Sequence, residues 1–131
     1  MIEQLLSKSR QALSTAARDL ADGDMDAAAN RCYYAVYYAA WAMFVSRGLE
    51  KPKTHSGLIA AFGKRFVKDG PLDRTFGATL GKLESLRSYA DYTLEPTPRE
   101  KAEQALDAAR TFLAAIEAEV RRPNLRQEDP Q

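Results

Sequence analysis

The chain has 131 residues, 45% of them hydrophobic and 28% charged, which suits one globular domain. With 19 Lys and Arg against 18 Asp and Glu the net charge is +1. No overall field therefore draws the protein to nucleic acid or membrane, and such binding needs a local patch. The single cysteine, Cys32, excludes an internal disulfide and suits a reducing cytosol.

The opening MIEQLLSKSR carries no apolar signal core. The first helix is predicted from near Ile2 to Ala21, with Ile2, Leu5, Leu6, Leu13, Ala16, Ala17 and Leu20 on one stripe and Asp22-Gly23 as its stop. The second runs from near Asp24 to Arg47 and stops at Gly48. Its stretch from Cys32 to Val45 is uncharged over 14 residues, short of the about 20 that a membrane span needs. That stretch reads as the central buried helix, with Cys32 in the core, and the expected location is the cytoplasm. Pro52 marks a loop. Thr54 reads as an N-cap, and the third helix carries Leu58, Ile59, Phe62 and Phe66 on one side.

Asp69-Gly70-Pro71 breaks the chain. A fourth helix follows, ending near Leu94, with Leu72, Phe76, Leu80, Leu83, Ala90 and Leu94 at steps of three and four. Pro96 and Pro98 mark a corner. A fifth helix spans about Pro98 to Val120, with Ala102, Ala105, Leu106, Ala109, Leu113 and Ile116 facing inward. No stretch reads as a strand. The predicted fold is an all-α, antiparallel up-and-down bundle of four to five helices over residues 1–120, with a polar tail at 121–131.

Arg87 falls on the apolar stripe of the fourth helix, within roughly 20 degrees of Leu80 and Leu94 at about 100 degrees per residue. A guanidinium keeps its proton, so placing it there demands an anionic or hydrogen-bonding partner. Asp91, one turn on, can pair with it but cannot take all five donors. A structural ion pair and a ligand site both remain open. Four tyrosines crowd the second helix: Tyr33 and Tyr37 on one face, Tyr34 and Tyr38 on another. One pair can fill the core while the other lines a cleft or an interface. His55, the only histidine, lies in a first helical turn beside Lys53 and Thr54, where free N–H groups favour an anion. One histidine without nearby Cys or carboxylate ligands makes no conventional metal site, and no Gly-rich phosphate loop occurs.

The tyrosine-rich helix from Asn30 to Trp41, the Lys53-Thr54-His55 helix start and the Arg87-x-x-x-Asp91-Tyr92 ending resemble the small single-domain HEPN proteins of bacteria and archaea. The match spans roughly Ile2 to Val120 and includes helix order. The resemblance implies a homodimer with a cleft between protomers, and a partner that is a minimal nucleotidyltransferase in a toxin–antitoxin pair. It also implies metal-independent ribonuclease chemistry without a cofactor. The family signature is an Arg followed, after four to six residues, by a His. Arg87 matches the Arg and Ser88 the polar position after it, whereas Tyr92, Thr93 and Leu94 stand where the His belongs. Acid–base cleavage of RNA calls for a group that titrates near neutrality, which histidine supplies.

Three functions follow. One is a partner of a nucleotidyltransferase that binds RNA or nucleotide, through Asn30, Tyr33, Tyr37, Lys53 and Thr54, with little or no cleavage. A second is an active ribonuclease in which Arg87 holds the phosphate and Asp91, Tyr92 or His55 replaces the missing His. The third is a nucleotide-binding or structural helical dimer.

Overall fold

Asp24, Thr54 and Asp73 each turn a side-chain oxygen onto a free amide in the first turn of the helix that follows. Asp24 Oδ1 accepts from Ala27 at 3.1 Å, Thr54 Oγ1 from Gly57 at 2.9 Å and Asp73 Oδ1 from Thr75 at 3.5 Å. These caps open α2 (Met25–Ser46), α3 (His55–Phe62) and α4 (Arg74–Tyr92). With α1 (Ile2–Ala21) and α5 (Arg99–Arg121) they make an all-α antiparallel bundle. The structure, a computed structural model, describes residues 1–122. Gly23 and Gly48, at φ of 83° and 70°, end α1 and α2 in the left-handed region that glycine enters without strain. Most of the expected tail, residues 123–131, lies outside the described residues, while Arg121 still belongs to α5.

Helix α2 is the centre. Cys32, Val36, Ala39, Ala40 and Met43 are fully buried, and the helix packs on α1, α4 and α5. Small residues at 28, 29, 35, 39, 40 and 42 let neighbouring backbones approach it closely. The inward set expected on α5 is buried throughout: Ala102, Ala105, Leu106, Ala109, Leu113 and Ile116. Burial pushes the Cys32 thiol up to about 12, so this cysteine is an inert core residue.

Three expectations need correction. The third helix is not uniform: after Phe62 the chain widens into a π-helical segment, Gly63–Lys68, and the Asp69 amide donates to the Lys64 carbonyl at 3.0 Å. The wider turn keeps Phe66 in the core, edge-on to Phe44 and Phe62 at 4.9 and 5.3 Å. Second, α4 starts at Arg74 and ends at Tyr92. Leu72 is buried but lies in the preceding loop, and Leu94 lies past the helix, fully exposed. Third, the tyrosines do not divide into one buried face and one exposed face. Only Tyr33 is buried, while Tyr34, Tyr37, Tyr38 and Trp41 keep part of their surface open.

Candidate functional site

Helices α2, α3 and α4 bring Tyr33, His55, Glu84, Arg87, Ser88 and Asp91 together. The Thr54 cap fixes the start of α3 and so sets the place of His55 in its first turn. Burial fixes Tyr33, which stands between the two: the His55 ring centroid lies 5.5 Å from its ring, and the Arg87 guanidinium 5.1 Å from it. Tyr37 stacks on the His55 ring itself, at 5.1 Å and 25°.

Glu84 is the hub. Arg87 Nη2 donates to both of its oxygens, at 2.7 and 2.9 Å, and Ser88 Oγ donates at 2.8 Å. The Tyr33 hydroxyl is hydrogen-bonded closely to His55 Nδ1 and lies beside the Glu84 carboxylate. His55 Nδ1 itself lies 3.9 Å from Glu84 Oε2. Burial raises the Glu84 carboxyl, but hydrogen bonds from Arg87 and Ser88 and the charge of Arg87 outweigh it, and its pKa ends below the ordinary 4.5. Burial, then the charge of Glu84, pushes the Tyr33 phenol well above its usual range. Arg87 is held charged even more firmly by its hydrogen bonds to Glu84.

Glu84 is an ionised acceptor and Tyr33 keeps its only proton, which faces two acceptors, His55 Nδ1 and the Glu84 carboxylate. Turned toward Glu84, that proton leaves the Tyr33 oxygen to accept from His55 Nδ1–H; given to His55, it makes Nδ1 the acceptor and puts the ring proton on Nε2. Arg87 neutralises Glu84 in both arrangements. His55 Nε2 makes no hydrogen bond among the described residues, on a side chain 41% exposed. In the first arrangement Nε2 is a bare lone pair, that of a base whose far nitrogen is oriented by a second group.

Arg87 is therefore paired, with more partners than the sequence offered. Beyond Glu84, its Nη1 donates to Asp91 Oδ2 at 2.9 Å, while its buried Nε has no partner among the described residues. Tyr92 stands apart, 85% exposed at the end of α4. Asn30 is not in the cluster: its Oδ1 accepts from Arg31 Nε and Nη2 at 3.2 and 3.0 Å. The Thr54 side chain is spent on the cap, and Lys53 is exposed beside it. Glu84 is the site residue that sequence reasoning did not single out, while Ser88 was named only as the polar position after Arg87. Glu84 sits one turn before Arg87, at the i, i+3 spacing of a helix pair.

Arg87→Leu strands the Glu84 carboxylate, so a loss of about 1–3 kcal/mol is expected, short of a fully buried pair because Glu84 keeps 22% of its side-chain surface. Urea melts of Arg87→Leu and of Arg87→Leu/Glu84→Gln check it: the double variant should recover most of the loss. Because the folded pKa of Glu84 is depressed, its contribution is present above about pH 4.5 and disappears as acid takes the pH down through the folded value. Glu84→Gln should flatten that part of the acid limb, and an unchanged limb would contradict the hub.

The sequence profile of the HEPN domain matches residues 2–119. A Thermotoga maritima protein named "UPF0332 protein" is 33% identical over 118 residues, 89% of each chain. "Putative toxin MJ0605" of Methanocaldococcus jannaschii is 36% identical over 86 residues, covering 66% of this chain and 63% of its own length. "Putative toxin MJ0142" of the same organism is 31% identical over 115 residues, 86% of this chain and 76% of its own. A match over nearly the whole bundle, carried by a family profile and by relatives of similar length, places the chain in the HEPN domain family.

Proposed function

We propose that this chain is a toxin-like HEPN protein that cleaves RNA, with His55 in the role of the histidine missing after Arg87. The observation that carries this reading is the His55–Tyr33 hydrogen bond set beside the Glu84–Arg87 ion pair, and the reading takes the Tyr33 proton to lie toward Glu84, so that His55 Nδ1–H donates to Tyr33 and Nε2 is bare. His55 Nε2 takes the proton of a ribose 2′-hydroxyl. The 2′-oxygen bonds to phosphorus, the bond to the 5′-oxygen breaks, and that oxygen takes a proton from water. The imidazolium formed is stabilised through Tyr33 by Glu84. Tyr37 stacks against His55, and Lys51 and Lys53 offer positive charge to the phosphate at the same corner.

A second reading is favoured by one observation: Arg87 is already committed to Glu84 and Asp91, so it has little charge to spare for a phosphate. On that reading the site binds RNA or nucleotide without cutting it. In both readings the toxin names of the relatives suggest an antitoxin, and the family resemblance suggests a minimal nucleotidyltransferase. Purified protein on single-stranded and structured RNA, with excess chelator, separates the two. Cleavage that falls about 10²-fold or more in His55→Ala supports the first reading. RNA binding with no cleavage supports the second.

The working unit is proposed to be a homodimer. An open groove of about 1140 Å³ between α4 and α5, lined by Leu86, Tyr89, Pro98 and Ala105 among others, supports this. So do the exposed Tyr89, which lines it, and the exposed Tyr92 and Leu94 a few residues further along the chain. Light scattering at tens of micromolar, a concentration on the order of ordinary interface affinities, should report a dimer. A monomer would remove the claim.

A further inference from the structure

A net charge of +1 hides one local basic patch. On α1, Lys8, Gln11, Thr15 and Arg18 follow one another at steps of three and four and face α2. With Arg31 and Tyr38 they line a notch of about 230 Å³ that contains no carboxylate. Among the described residues, none of Lys8, Arg18 or Arg31 has an acidic partner within 4.0 Å, whereas Arg10, Arg47, Arg87 and Arg99 all do. Two of these cations sit on aromatic rings instead: Lys8 is 5.3 Å from the Tyr38 ring, and Arg31 is 5.2 Å from the Tyr34 ring. Asn30 holds the Arg31 fork in place.

The notch is joined to the site by rings. Tyr34 lies 6.2 Å from His55, edge to face, and Tyr38 lies 6.2 Å from Tyr34. Both rings are partly open to solvent. Cations without an acidic partner among the described residues, set beside partly exposed tyrosine rings, suit a chain that carries a phosphate and a π face in each unit, whose bases take the place of Lys8 and Arg31 on the rings. A protein partner of the same kind, a second copy of this chain, fits poorly. Two-fold symmetry would bring Lys8, Arg18 and Arg31 against the same patch, cation on cation.

The geometry points to a track for single-stranded nucleic acid, in which bases stack on Tyr34 and Tyr38 and a phosphate away from the scissile one enters the Lys8–Arg18–Arg31 notch. The track rests on the reading of the His55 cluster as an RNA site, and it predicts binding that the cluster alone does not supply.

The test is fluorescence anisotropy of the full chain with a labelled single-stranded 2′-O-methyl oligouridylate. That probe lacks the 2′-hydroxyl and stays intact whether or not the protein cleaves RNA. Wild-type affinity should fall with salt. Lys8→Gln/Arg18→Gln should lower the log–log slope by about 0.7 for each cation removed. Tyr38→Ser should weaken binding by about fivefold to a hundredfold, the loss of one stacked base. Unchanged affinity and slope in the double variant would overturn the track and leave the His55 reading standing. So would a change in molecular mass in the double variant with unchanged RNA affinity, because the notch would then belong to a protein interface. Cleavage is read separately on wild type with ordinary RNA. Its absence together with notch-dependent binding would remove the cleavage reading and keep the track.

Discussion

One half-buried carboxylate organises the site. Glu84 accepts from Arg87 and Ser88, and it lies beside the hydrogen bond between Tyr33 and His55. Three helices meet at that single group: α2 supplies Tyr33, α3 His55 and α4 the rest. A carboxylate with so many donors stays ionised although burial opposes it. Its charge then favours a Tyr33 proton turned toward it. Remove the charge and that preference, with the His55 tautomer it would carry, is lost.

The bundle explains why such a cluster can exist in so small a chain. Alanines and Cys32 along α2 let α1, α4 and α5 close around it, so Tyr33 is fully buried while its hydroxyl still meets polar groups. The core ends at Leu83, and Leu86 and Ala90 are only half-buried. Arg87 therefore sits where the core gives way to solvent. There a guanidinium can be neutralised on two sides and lie against a ring without the full cost of deep burial.

The fold was readable because its signals are local. The cap at Thr54, stops at Gly23 and Gly48, and stripes on α1 and α5 each depend on neighbours a few residues away. The π-helical segment was not readable, since the Leu58–Phe62–Phe66 spacing fits an ordinary helix until the packing of Phe66 on Phe44 is known. Leu94 kept the period of α4, yet the helix had already ended. Arg87 and Asp91 were legible as a pair, and His55 as a lone candidate. Joining them required Glu84, whose i, i+3 spacing to Arg87 looks like any surface pair, and Tyr33, which is 22 residues from His55. The convergence of three helices is a tertiary fact. Tyr92 and Asn30 were plausible by position and were placed elsewhere by the helix end and by Arg31.

The central claim is the direction of the Tyr33–His55 hydrogen bond, and the chain offers one imidazole with which to read it. Nitrogen NMR of protein labelled at His55, recorded above the histidine titration, distinguishes the two neutral tautomers. The account requires a proton on Nδ1 and a bare Nε2, and it requires Glu84→Gln to weaken that preference. A neutral His55 carrying its proton on Nε2 in the unmodified protein would contradict it.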